Sequence, residues 1–249
     1  MILSELTSPQ VEVLSREIVC LIPTGATEQH GPHLPIGTDW MLAEAFGKAV
    51  EANLPEQVLL VPTLACGVSP HHMAFAGTLS LSPTVYIQAI QEMIGSLVAH
   101  GFRRFYILNG HGGNSPANEL ALRMVKQSHP NCWLAHADYY QVANSDISQL
   151  AGGVGMGHAD EVETSLMLHC RPELVQTHKL VDDGLEPVPY VSGLITNFNE
   201  RSLHGVAGNA TQASVELGEK LYEAVVGRMV QEVSRFAGTI TLLGQPYQG

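Results

Sequence analysis

The sequence predicts an α/β fold with a mostly parallel central sheet, and three observations predict it. Short β-branched runs alternate with longer stretches of helical period, as in successive βαβ units. Caps, prolines and glycines mark the changes of period. The chain has 249 residues, 45% of them hydrophobic, which is enough to bury a sizeable core, and we read 1–249 as one domain.

Strands are expected at 18–23, 58–63, 102–108 and 132–136. Between the second and third, Ser82 can cap a helix with Pro83 in its first turn. Val85, Ala89, Ile90, Met93, Ile94, Leu97 and Val98 then share a face until Gly101 stops it. A second helix should open near Ser115 and Pro116 and bury Leu120, Ala121, Met124 and Val125. The last and longest, at about 213–236, sets Leu221, Val225, Val226, Met229, Val230 and Val233 at 3/4 spacing. Residues 181–209, rich in Gly, Pro and polar side chains, read as irregular surface excursions.

Composition narrows the function. Twelve Lys plus Arg against twenty-four Asp plus Glu give a formal charge of −12, so no basic field exists to hold a phosphate backbone or an anionic membrane surface. MILSELTSPQ lacks a basic region followed by a long apolar stretch, and no window approaches the ~20 apolar residues of a membrane span. Cys20, Cys66, Cys132 and Cys170 form no C-x-x-C pair and suit a reducing compartment, so a cytoplasmic location is expected. Twelve histidines raise the prior for metal ligation or proton transfer.

In an open parallel sheet, ligands collect where the βα loops leave the carboxyl ends of the strands. The first strand runs into GATEQHGPHLPIGTDW, which places Glu28, His30, His33 and Asp39 in one loop. Glu28 and His30 are two apart and project to one side of an extended segment. Gly31, Pro32, Pro35 and Gly37 prevent regular structure and let Asp39 fold back. Taken singly, Asp39 could cap a helix beginning at Trp40 and Glu28 could be a solvated loop charge; the cluster argues for a cation site. The third strand ends in NGHGGN, where glycines free the His111 imidazole, although the same turn could hold an anion on its N–H groups. GMGHADEVETS brings His158, Asp160, Glu161 and Glu163 to a helix start, where the helix dipole alone would favour Asp160 and Glu161. No G-x-S-x-G elbow follows a strand, which argues against a serine hydrolase.

The segments TGATEQHGPHLPIGTD, HHMAFAGTLSL, NGHGGN, HADEVETS and GVAGNATQASVELG, in this order, resemble the creatininase (creatinine amidohydrolase) family. The resemblance implies a three-layer αβα fold and a homohexamer. It also implies two divalent ions per subunit, zinc, manganese or iron, that activate water to hydrolyse a non-peptide amide C–N bond. On it, Glu28, His30, Asp39 and His111 take metal-ligand positions with Asp39 bridging, Glu163 is a ligand or base, and His158 matches the catalytic histidine. Two departures bear on substrate. Gly112 and Gly113 stand where creatinine-cleaving members have a Tyr-Glu pair, and GGVGMGH lacks their tryptophan, which points to a formamide or another amide. His33 and His72 are candidates to support the ligands from behind. The competing expectation is a non-catalytic anion- or nucleotide-binding module built on the NGHGGN turn.

Overall fold

Alternation along the strands gives the sheet two apolar faces. The computed structural model describes residues 1–153, 155–185 and 194–239. Its sheet contains β1 (Val19–Thr24), β2 (Val58–Leu60), β3 (Arg104–Asn109) and β4 (Trp133–Asp138) in the order β2-β1-β3-β4, every pair parallel. Val19 lies opposite both Val58 and Arg104, which fixes which side chains share a face. The helices are α1 (Ser8–Glu12), α2 (Thr38–Asn53), α3 (Pro83–Ala99), α4 (Ser115–Ser128), α5 (Tyr139–Val142), α6 (Asn144–Leu150), α7 (Glu161–Cys170) and α8 (Val215–Thr239). A small antiparallel ribbon pairs β5 (Asp182–Asp183) with β6 (Gly208–Asn209).

Val19, Leu21, Tyr106 and Leu108 pack with Leu42, Phe46 and Val50 of α2 and with Leu221, Val225, Met229 and Val233 of α8. The alternate residues Cys20, Ile22, Phe105 and Ile107 pack with Tyr86, Ile90 and Ile94 of α3 and with Ala121, Leu122 and Val125 of α4. The result is a three-layer αβα sandwich. Complete burial of a side chain such as Phe46 contributes about 1.5–3 kcal/mol, so this core carries most of the fold's stabilisation.

The expected strand ends move by one or two residues, with one larger change. β2 stops at Leu60 instead of running to 63, where Pro62, its φ held at about −65° by the ring, turns the chain off the extended ladder; pairing resumes only as a bridge between Thr24 and Leu64. The inward face of α4 also differs from expectation. Leu120 is 50% and Met124 39% exposed, whereas Asn118 is buried. The stripe Ala117, Ala121, Leu122 and Val125 packs into the core instead, and beside it the Tyr86 hydroxyl donates a 2.8 Å hydrogen bond to Asn118 Oδ1, with Val85 left outside. Val154 of the GGVGMGH stretch, 186–193 of the 181–209 excursion and 240–249 of the expected domain lie outside the described residues. Among the described residues no helix is long and apolar enough to cross a membrane.

After β1 the chain passes to α2 on one face, and after β3 to α4 on the other. The carboxyl ends of β1 and β3 therefore flank a crevice at the point where the winding reverses.

Candidate metal centre

Five of the six residues singled out as ligands or proton carriers converge in that crevice with buried side chains, and the sixth, His158, closes one wall. The loop after β1 is shut by the Glu28 N–H donating to the Ile36 carbonyl at 2.8 Å, which returns the chain to α2 with Asp39 in its first turn. The Asp39 side chain makes no capping bond there. Its Oδ1 stands 2.9 Å from His30 Nε2 and its Oδ2 3.1 Å from His111 Nδ1, so one carboxylate addresses two imidazoles. Glu28 Oε1 lies 3.3 Å from His111 Nδ1, and Glu163 Oε2 lies 3.8 Å from His30 Nε2.

The outer nitrogens of these two rings fix what the inner ones offer. His30 Nδ1 is 3.1 Å from the Glu28 carbonyl oxygen and His111 Nε2 is 3.1 Å from that of Val68. A carbonyl only accepts, so each outer nitrogen carries a proton, and in the neutral ring each inner nitrogen presents a lone pair. Lone pairs and carboxylate oxygens then face one another in a buried space, and Glu28 Oε2 and Asp39 Oδ2 find no hydrogen-bond partner among the described residues. Such an arrangement needs positive charge at its centre. Protons can supply it: burial opposes the imidazolium of His30, but Asp39 and then Glu163 and Glu28 overcome this and lift it to about 10. Burial likewise opposes a charged His111, and Glu28 with Asp39 lifts it to about 9. Burial raises Glu28 to about 7 and Glu163 to about 8. Mixed N/O donors of this kind fit a divalent transition ion equally well.

His158 is held by a bridge to Ala207, its N–H donating to the Ala207 carbonyl at 3.2 Å and its own carbonyl accepting at 2.8 Å. Its Nε2 donates to the Gln29 carbonyl at 2.9 Å, which leaves Nδ1 as a lone pair 3.9 Å from Glu28 Oε1. Burial and the neighbouring His30 and His72 keep this imidazole far below its usual value, hence neutral. Ala159 follows with φ 49°, uncommon for a residue with a side chain, and donates its N–H to Glu163 Oε2. Asp160 caps α7, accepting the N–H groups of Val162 and Glu163 at 2.9 Å each. Glu161 accepts from the Asn209 N–H at 2.9 Å and so ties down the GVAGNA segment. Both of these carboxylates have structural partners.

Of the two candidates for support, His33 packs against Thr164 Oγ1 at 2.8 Å, outside the cavity wall. His72 reaches the centre: Gln29 Nε2 donates to its Nδ1 at 2.8 Å, which turns its Nε2–H toward Glu28 Oε1 at 3.4 Å. Residues that sequence reasoning did not single out complete a cavity of about 330 Å³, among them His71, Tyr140, Met156 and Phe198. Phe198 stacks on His72 with ring centroids 4.5 Å apart and lies 4.8 Å from His158. An aromatic face is thus present although GGVGMGH lacks one, and it comes from the irregular excursion. Among the described residues no Lys or Arg lines this cavity. The NGHGGN turn points its histidine at Glu28 and Asp39, and its Asn114 amide is engaged by Gly25 and Val68, so an anion placed there would meet negative charge.

A family model described as creatinine amidohydrolase matches residues 4–233. The mycofactocin precursor peptide peptidase of Mycobacterium ulcerans (strain Agy99) is 31% identical over 245 residues, covering 94% of this chain and 92% of that protein. The creatinine amidohydrolase of Pseudomonas putida is 31% identical over 241 residues, covering 89% and 92%. A crystal structure of creatinine amidohydrolase superposes with a TM-score of 0.86 at 26% identity, over 95% of this chain and 98% of that one.

Proposed function

The chain belongs to the creatininase family of amidohydrolases, and from that premise we propose that it hydrolyses a neutral, non-peptide amide C–N bond, a formamide or a cyclic amide, with two divalent ions in the crevice between β1 and β3. One observation carries this reading: the two oxygens of Asp39 face two separate imidazoles whose outer nitrogens are committed to carbonyls. Glu28, Asp39 and His111 would hold one ion, and His30, Asp39 and Glu163 the other, with Asp39 bridging. Zinc, manganese or iron(II) suits these donors, and solved creatininases include a Zn–Zn form and a Mn form. Bound there, such ions would supply Lewis-acid polarisation of an amide carbonyl and a water of lowered pKa.

The chain's own groups do the rest. His158, tied through Nε2 to the Gln29 carbonyl, offers Nδ1 to take up a proton and return it to the departing nitrogen. Glu163 completes the second ligand set or receives the proton first. Phe198 and Tyr140 line the cavity, and the lack of a lining Lys or Arg among the described residues favours an uncharged substrate over one bearing a phosphate or carboxylate. Assembly as a homohexamer belongs to the same reading.

Asp39→Ala is the direct test: elemental analysis should find two ions per chain in the parent and neither in the variant, and full occupancy in the variant would overturn the bridge. Metal-reconstituted protein should turn over a formamide or cyclic amide in a panel that includes creatinine and short peptides. Cleavage confined to the peptides would instead place it with its peptidase relatives.

A further inference from the structure

Two neighbours of the His111 turn, His71 and Gly113, have no part in the chemistry above, yet both shape the wall around Glu28. His71 comes from the short 3-10 turn Pro70–His72 and lines the cavity half-buried. Its ring lies nearly parallel to that of His111, 10° between planes and 5.7 Å between centroids. Each of the other histidines on the wall, His72, His111 and His158, has a ring nitrogen in a hydrogen bond. Among the described residues neither ring nitrogen of His71 has such a partner.

One of those nitrogens, a Glu28 oxygen and a His111 nitrogen lie within 4.8 Å of one another. Donors bound at about 2.0–2.2 Å to a tetrahedral ion stand about 3.3 Å apart, so a side-chain rotation of about an ångström closes the set. Gly113 permits this. A Cβ there would lie 2.4 Å from His111 Nε2, 2.4 Å from the Val68 carbonyl oxygen and 3.0 Å from His71 Cε1. Position 113 can therefore carry no side chain while His71 and His111 keep their places. The space beside Glu28 is left to an imidazole arriving from the opposite loop.

We propose that His71 is a further protein ligand of the ion held by Glu28, Asp39 and His111. This inference rests on the two-ion reading. It makes the sites unequal: the Glu28 site has two imidazoles and two carboxylates, the His30 site one imidazole and two carboxylates. Imidazole donors suit zinc and carboxylates suit manganese, so the Glu28 site is the more zinc-selective of the two.

The test is cobalt(II) titration of metal-free protein against a competing chelator, followed by visible absorption, for the parent, His71→Ala and His71→Glu. The parent should bind two ions per chain. In His71→Ala one ion should weaken at least about tenfold with a changed absorption band, the other staying as in the parent; His71→Glu should recover affinity with a weaker, oxygen-rich spectrum. Parent affinity and spectrum for both ions in His71→Ala would overturn the assignment. So would equal weakening of both together with a lower unfolding temperature of the metal-free variant, which would make His71 a prop for the loop. A parent that binds only one ion would reject the two-ion reading by itself, and the His71 assignment would still be decided by whether that ion weakens in the variant.

Discussion

At the scale of single residues, the site depends on which nitrogen of each histidine carries the proton. The Glu28, Val68 and Gln29 carbonyls settle this for His30, His111 and His158, and the Gln29 amide settles it for His72. Backbone groups do not titrate, so the nitrogen bound to a carbonyl keeps its proton across the working pH range, and only the other nitrogen exchanges one. The arrangement separates ligands from the proton carrier. His158 points its lone pair at the edge of the centre, 3.9 Å from Glu28, while His30 and His111 sit at 2.9 and 3.1 Å from Asp39. His158→Ala should therefore retain both ions and lose about 10²–10⁴-fold in kcat with a much smaller change in KM. Steady-state kinetics beside elemental analysis checks this, and loss of one metal equivalent would make His158 a ligand.

At the scale of elements, the carrier is aimed by a two-residue bridge instead of a helix or strand, and that bridge depends on the absence of a side chain at Gly157. A Cβ there would lie 1.8 Å from the Ala207 carbonyl oxygen, the acceptor of the His158 N–H, whereas one at Gly155 would meet nothing within 4 Å. Gly157→Ala should thus displace His158, lower kcat and cost on the order of 1–3 kcal/mol in stability, as overpacking does. Gly155→Ala serves as the silent control, and kinetics with thermal unfolding of both variants decides the matter. The same scale explains what was legible in the sequence. Strands announced themselves by β-branched runs, and the Gly/Pro-broken loops after β1 and β3 exposed Glu28, His30, Asp39 and His111 because their neighbours had no regular structure to build. The α4 face was not legible, since Leu120 and Met124 fit a 3/4 stripe as well as Ala117 and Leu122 do, and only packing against Tyr86, Ile90 and Ile94 of α3 decides between them. Nor were His71 and Phe198, which stand in loops distant in sequence and acquire meaning only once folding sets them against His111 and His72.

At the scale of the whole molecule, the centre joins three otherwise separate parts: the loop after β1, the turn after β3 and the start of α7, whose helix packs with α2 and α8 on one face of the sheet. Glu28, Asp39 and Glu163 enter this junction almost fully buried, so the fold must supply positive charge to keep it closed. Without metal that charge is protonic. His30 and His111 have folded values of about 10 and about 9, above the 6.5 of a free imidazole, so their contribution to stability is complete below 6.5 and lost as pH rises through 9 to 10. Glu163, raised to about 8, adds loss in the same direction up to that pH. His71 and His72, held down to about 4 and about 2 by burial, are neutral in both folded and unfolded chains above 6.5 and stay out of this window. Divalent ions behave in the opposite sense, because their binding displaces the protons from His30 and His111 and strengthens as those protons become easier to remove. The melting temperature of chelator-treated protein should accordingly fall between pH 6.5 and 9, while the gap between metal-loaded and metal-free protein widens over the same interval. Thermal unfolding at half-unit steps of pH, with and without added zinc or manganese, measures both curves. A gap that stays constant or narrows with rising pH would mean that His30 and His111 do not exchange their protons for the ions, and the ligand assignment of both would have to be withdrawn.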